Sequence, residues 1–216
     1  MQENPNEKLK SYIIDRTRYI TNDCRTFLWA RFQYYPDIQN SHLEIGGGNI
    51  LIAMGLFGVL GYLSKIYVLL ADKARYSDPK CGKPRVNETE AFKDFIKNCP
   101  YKLNLDQLRD EDLRKLWNRW RNKLAHLLVQ KEGTAEAFVA DKVNLALAGK
   151  YEEVKDSLRA NVDIKIFTFN SAEDWWHCNV DLLASELDKI ADWLASFSSS
   201  VSPERIQKAL EEIESD

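Results

Sequence analysis

Apolar residues recur at helical spacing along most of this chain, and our interpretation starts from one such stretch. Between positions 112 and 130 they fall three or four residues apart, which predicts one apolar stripe on an amphipathic helix. The sector between Arg121 and His126 on the other side of this helix carries no charge, and Arg114 and Lys115 lie one turn earlier on that side. We expect one side of the helix to pack against the core of its own chain and the other side to contact a second molecule, which is a partner subunit, a polyanion or both. The apolar stripe consists of Leu113, Leu116, Trp117, Trp120, Leu124, Leu127 and Leu128, and the uncharged sector of Asn118, Asn122, Ala125 and Val129.

Two long helices are predicted before this stretch. The first covers residues 7–34 and ends near Pro36, and the second follows a run of glycines at 46–48 and contains the apolar run 50–63.

Three interpretations of this second segment compete. A membrane span needs about 20 apolar residues, and Ser64 and Lys65 interrupt the run. A phosphate-binding loop would need a Gly-Lys-Ser/Thr ending that is missing. We therefore favour a flexible entry into a central buried helix, in which Gly55, Gly58 and Gly61 allow neighbouring helices to approach closely.

In the rest of the chain, turn-forming and capping residues mark several helix and strand boundaries. Residues 75–87 predict a loop, and the capping pattern from Asn87 to Glu90 predicts a short helix to position 98. Residues 161–170 alternate at period two and predict a strand, for which residues 135–140 are the candidate partner. Ser171 is predicted to cap a helix running to 197, and Pro203 to open a last helix ending near 213.

These elements predict a mainly α fold, a helical bundle of four to five main helices with a small β-hairpin. We expect a single helical domain over residues 1–197, followed at 198–216 by a Ser-rich linker and a short C-terminal helix.

Composition narrows the classes of function. The chain has 216 residues, of which 44% are hydrophobic and 29% charged, and its net charge is −3, so any nucleic-acid site must be a local patch. Its four cysteines show no CxxC spacing, which argues against a zinc site and for reduced thiols in the cytoplasm. The polar N-terminus resembles neither a signal nor a transit peptide. We expect a cytoplasmic protein that needs no metal and no cofactor and does not contact a membrane.

Three histidines are present, and one of them stands in a chemically suggestive setting. His42 is expected to lie on the surface, and His177 to be packed or half-exposed near a helix start. His126 instead follows Arg121 and Asn122 in the series Arg-Asn-Lys-Leu-Ala-His. Arginine offers a forked donor for phosphate oxygens, and an imidazole can exchange a proton near neutral pH. The same spacing would also fit a surface salt bridge and a packed histidine.

The motif from Arg121 to His126, late in an amphipathic helix of a small helical protein, resembles the signature of the HEPN superfamily. The glycine-rich start of the long apolar helix also looks like that of uncharacterised bacterial members. The resemblance implies a metal-independent ribonuclease in which two subunits pack their motif helices around a shared cleft. His126 would then act as general acid and base on a ribose 2′-hydroxyl, and Arg121 would bind the scissile phosphate. Asn122 would orient one of the two, and the products would end in a 2′,3′-cyclic phosphate.

Helical geometry favours a composite site for this chemistry. Five residues of an ideal helix turn the side chain by about 140°, so Arg121 and His126 of one chain do not converge without a second copy. Arg114, Lys115 and Asn118 are the candidate substrate-binding residues on the same side. The hypotheses are a homodimeric endoribonuclease with a toxin or phage-defence role, and a non-catalytic module that binds RNA, a nucleotide or a partner such as an antitoxin nucleotidyltransferase. A purely structural helical protein is the third.

Overall fold

A computed structural model describes residues 4–34, 46–77, 85–101, 103–118, 135–138, 166–170 and 175–215 of the chain. These residues form six helices and two small sheets, so the predicted mainly helical fold is confirmed, with more helices and strands than the four to five helices and one hairpin expected. The helices are α1 (Pro5–Tyr34), α2 (Gly46–Leu70), α3 (Glu88–Asn98), α4 (Asp110–Trp117), α5 (Val180–Ser198) and α6 (Pro203–Ser215). The strands are β1 (Tyr76–Ser77), β2 (Arg85–Val86), β3 (Ala135–Phe138), β4 (Phe167–Asn170) and β5 (Trp175–Asn179).

Helix α2 is the centre of the core. It packs against α1, α3, α5, α6 and β3, and Leu56, Phe57, Leu60 and Leu63 are fully buried. The prediction of a central buried helix is therefore confirmed. The glycines at 46–48 were expected to precede the helix, and they instead form its first turn.

Ser64 and Lys65 are accommodated inside α2. The Ser64 hydroxyl donates to the Leu60 carbonyl, and the Lys65 ammonium lies 3.2 Å from the Glu212 carboxylate on α6. The segment Ile52–Leu70 is long and apolar enough to cross a membrane by length and composition alone, but 72% of it is buried inside the protein. A core helix has these same properties, so they are weak evidence for a membrane span.

A polar seam joins α1 to α5, its most extensive partner. The Thr21 hydroxyl donates to Asp188 at 2.7 Å, and the Arg25 guanidinium contacts the second oxygen of the same carboxylate at 2.7 Å. Arg18 pairs with Asp192 at 2.8 Å. These contacts fix the register of the two helices.

Helix α3 begins and ends where its sequence predicts. The Asn87 side chain accepts a hydrogen bond from the Glu90 backbone N–H at 3.2 Å, so Asn87 is the N-cap. Cys99 follows the helix with extended backbone, as the residue before Pro100 should.

The sheets depart from the sequence prediction in two respects. Residues 75–87 were predicted to be loop throughout, but β1 and β2 form a short antiparallel pair there. Strand β4 occupies the end of the predicted strand, and residues 161–165 lie outside the described part. The predicted pairing of this strand with residues 135–140 was wrong, because β5 lies between β3 and β4, parallel to the first and antiparallel to the second.

Strand β5 also corrects the predicted helix that was to begin after Ser171. Trp175–Asn179 is extended, and α5 begins at Val180. Pairing on both edges satisfies the backbone of β5, which outweighs the helical spacing of its side chains. The last predicted helix is confirmed, with Pro203 in its first turn.

Candidate functional site

Helix α4 begins the stretch that carries the candidate motif. Asp110, Glu111 and Asp112 lie in its first turn, where the helix dipole favours negative charge. Leu113, Leu116 and Trp117 are fully buried, so the described part of the predicted apolar stripe does face the core. The backbone of Asn118 is still helical, with φ −63° and ψ −36°.

Helix α4 is held in place by the Trp117 side chain and by the loop that precedes the helix. The Trp117 indole stacks on Phe92 of α3 with ring centroids 4.7 Å apart, and its edge reaches Gly61 of α2. The loop before α4 is tied to the sheet by Asn104, whose side-chain oxygen accepts from the Ile166 N–H at 3.1 Å. Asn104 adopts φ 60°, a left-handed conformation that asparagine tolerates better than most residues. Helix α4 is therefore fixed both by the core and by the segment that leads into β4.

The three candidate substrate-binding residues lie on the outer side of α4. Arg114 and Lys115 each have a side chain 57% exposed, and Asn118 is half-buried. Both cations already have acidic neighbours: Lys115 lies 2.9 Å from Glu111, and Arg114 lies 3.5 Å from Glu90 of α3. Ion pairs this exposed contribute little stability, so a phosphate group could replace either carboxylate.

The Glu90 carboxylate is the electrostatic centre between α3 and α4. It accepts from Lys93 at 2.8 Å, and the guanidiniums of Arg75 and Arg114 lie at 3.3 and 3.5 Å. The hydrogen bond from Lys93 is the main reason that the pKa of Glu90 lies below its ordinary value, with the charges of Lys93, Arg75 and Arg114 acting in the same direction.

Asp110 continues this network. It contacts Lys97 and lies 3.4 Å from Lys93, and the hydrogen bond from Lys97 lowers its pKa. The cations between α3 and α4 therefore face two carboxylates, Glu90 and Asp110.

The candidate catalytic residues Arg121, Asn122 and His126 lie outside the described residues, and so does His42. His177 was expected near a helix start, and its backbone instead lies in β5, opposite Glu136 of β3 and Thr168 of β4. Of the candidate site residues, the structure describes Arg114, Lys115 and Asn118, and it gives Arg114 and Lys115 different acidic neighbours.

Sequence reasoning missed the residues around Glu90. Lys93 could have been found, since its position three residues after Glu90 places both on one helical face. Arg75 could not, because it is 15 residues away and no local pattern links it to Glu90.

The described cysteines are not poised for chemistry. Burial raises the pKa of Cys24 and of Cys99 to about 11, and raises that of Cys178 further. Within the described residues, no group of three or more His, Cys, Asp or Glu side chains is placed to hold a metal ion.

The architecture defines a mainly helical protein built around a buried central helix, with small sheets at its edge. No family model, no curated protein and no solved structure matches the chain. The HEPN resemblance therefore depends on the motif from Arg121 to His126 and remains a prediction.

Proposed function

We propose that this protein is a metal-independent endoribonuclease of HEPN type, which cleaves RNA at a composite site formed by two copies of the chain. The observation that carries the proposal is the series Arg121, Asn122 and His126, because it holds a phosphate-binding group and a proton-transfer group five residues apart. A toxin or phage-defence role would suit such an activity.

The described start of the motif helix supports the outward orientation that the proposal needs. Seven residues return to within about 20° of the same direction on an ideal helix. If the helix continues past Asn118, Arg121 shares a stripe with Arg114, and Asn122 shares one with Lys115. Both of these cations are exposed, while the opposite stripe is buried.

The chemistry requires one proton removed and one delivered. His126 takes the proton of a ribose 2′-hydroxyl, and the 2′-oxygen attacks the adjacent phosphorus. The bond from phosphorus to the 5′-oxygen breaks, and this oxygen takes a proton from the protonated imidazole of the second copy. Arg121 stabilises the charge that develops on the phosphate oxygens, and Asn122 orients the imidazole or the phosphate. The products are a 2′,3′-cyclic phosphate and a free 5′-hydroxyl.

The test incubates the purified full chain with total RNA in EDTA and compares it with His126→Ala and Arg121→Ala. We expect cleavage by the parent and a loss of about 10²- to 10⁴-fold for His126→Ala, the usual worth of acid–base catalysis. His42→Ala is the matched control, since it removes an imidazole outside the motif and should leave the rate unchanged. End-group analysis should find 2′,3′-cyclic phosphates, and sedimentation should find a dimer.

Other outcomes contradict the proposal. Cleavage that persists in His126→Ala indicates a contaminating nuclease or a different site. RNA binding without cleavage supports the non-catalytic module, and neither binding nor cleavage leaves a structural protein. Circular dichroism of each variant shows whether a lost activity reflects a lost fold.

A further inference from the structure

The Glu90 site binds more cations than one carboxylate needs. Its carboxylate is contacted from three different parts of the chain. Lys93 contacts both oxygens, Arg75 contacts one of them, and Arg114 contacts the other. A single negative charge thus faces three positive charges at this point. Asp94, 4.0 Å from Arg75, and Asp110, 3.4 Å from Lys93, offset part of the excess.

The three cations are not equivalent. Lys93 is only 8% exposed and donates to both carboxylate oxygens at 2.8 Å, so it is the structural partner of Glu90. The side chains of Arg75 and Arg114 are 65% and 57% exposed, and they contact Glu90 at the long distances of 3.3 and 3.5 Å. The two arginines are therefore the partners that a competing anion could remove.

Both arginines keep hydrogen-bonding capacity for such an anion. A guanidinium has five N–H donors in a planar fork. Among the described residues, each arginine directs one N–H to Glu90 within hydrogen-bonding distance. The backbone also positions Arg75, because its carbonyl accepts from the Asn87 N–H at 2.7 Å, at the N-cap of α3. A phosphate could accept hydrogen bonds from both guanidiniums on their solvent side.

We propose that Arg75 and Arg114 bind a backbone phosphate of single-stranded RNA, and that Glu90 is the counter-ion this phosphate displaces. The inference rests on the proposed function, because it extends the same RNA path away from the motif. If the helix continues past Asn118, the seven residues from Arg114 to Arg121 span about 10 Å along its axis. About three nucleotides of a stacked strand cover that distance.

Tyr76 favours RNA over a free phosphate. It follows Arg75 directly, its side chain is 42% exposed, and the Lys208 ammonium lies 5.4 Å from its ring centroid. An exposed aromatic ring one residue after Arg75 and next to the Lys208 ammonium is a surface on which a base can stack.

The experiment measures the affinity of a fluorescent single-stranded RNA for the full chain by anisotropy, in EDTA and in the His126→Ala background to prevent cleavage. We expect Arg75→Gln and Arg114→Gln each to weaken binding about three- to tenfold and to reduce the salt dependence by about one phosphate contact. Arg18→Gln is the matched control, because the Arg18 side chain is 50% exposed and pairs with Asp192 on the seam between α1 and α5. An effect of the control as large as that of Arg75→Gln would overturn the inference.

Glu90→Gln should change the affinity for RNA in the opposite direction. Removing the competing charge should tighten RNA binding about threefold or more, whereas a purely structural carboxylate would leave the affinity unchanged or lower it. Either of those results overturns the proposed displacement. Tyr76→Ala should weaken binding of RNA and leave binding of inorganic polyphosphate unchanged. An equal effect on both would overturn the assignment to RNA.

Cleavage by the parent is scored separately, so the two proposals can fail independently. If the parent does not cleave but the binding variants behave as expected, the phosphate site stands and the nuclease does not. If the parent cleaves and Arg75→Gln binds RNA as the parent does, the nuclease stands and the Glu90 site does not.

Discussion

Gly61 is the position on α2 where the packing tolerates no side chain. A Cβ atom added there would lie 2.7 Å from Cη2 of Trp117, against an optimal carbon–carbon separation of about 3.5–4.0 Å. The ring cannot move aside freely, because Trp117 is fully buried and stacked on Phe92. We therefore expect Gly61→Ala to disturb the contact between α2 and α4.

The size of the effect follows from two opposing terms. Overpacking of a core costs about 1–3 kcal/mol, and replacing a helical glycine by alanine gains about 1 kcal/mol. Gly58→Ala has the same gain without the clash, since no described atom outside its own helical turn lies within 4 Å of the position that its Cβ would take. The difference between the two variants isolates the overpacking cost of about 1–3 kcal/mol, with Gly61→Ala the less stable.

Urea unfolding and thermal unfolding, both followed by far-UV circular dichroism, measure this difference. Each kcal/mol should appear as about 2–4 °C in Tm for a chain of this size. Gly55→Ala is a second control, because its Cβ would make ordinary contacts at 3.7 and 3.8 Å with Ile20 and Cys24. It should resemble Gly58→Ala.

A double-mutant cycle tests the cause. Trp117→Phe removes the indole atoms that the new methyl would strike, so Gly61→Ala should cost less in that background. Equal stability of Gly61→Ala and Gly58→Ala in the parent would refute the reasoning, and so would an unchanged cost in the Trp117→Phe background.

Two further predictions concern buried polar groups. Thr17 and Thr21 lie one turn apart on α1 and are both fully buried, but among the described residues only the Thr21 hydroxyl has hydrogen-bond partners. Thr21→Val should therefore lower the free energy of unfolding by about 1–3 kcal/mol, while Thr17→Val should be neutral or stabilising, and equal losses in urea unfolding would contradict this. Burial raises the pKa of Cys24 and of Cys99 to about 11, so both thiols should react slowly with iodoacetamide at pH 8 and rapidly after unfolding in guanidinium. Rapid labelling of both thiols in the folded protein would contradict this prediction.

The helices were largely predictable because their determinants are local. The apolar spacing of residues 112–117 predicted the buried side of α4, and Asn87 predicted the start of α3 through its own hydrogen bond to the Glu90 N–H. The motif residues Arg121, Asn122 and His126 were also recognised locally, as a spacing of residue types. Their function remains a proposal.

The strands were less predictable because their partners are remote in sequence. Trp175–Asn179 carries helical spacing, and only pairing with both β3 and β4 makes it a strand. The same limit applies to the Glu90 site, where Arg75 and Arg114 lie 15 and 24 residues away.

The sequence by itself determined most of the described helices and the apolar side of α4, because both follow from contacts within a few residues. Only the tertiary structure decided that β5 separates β3 from β4 and that two arginines share one carboxylate. Such contacts form when the packing of α2 against its neighbours brings distant segments together, and no local pattern encodes that distance.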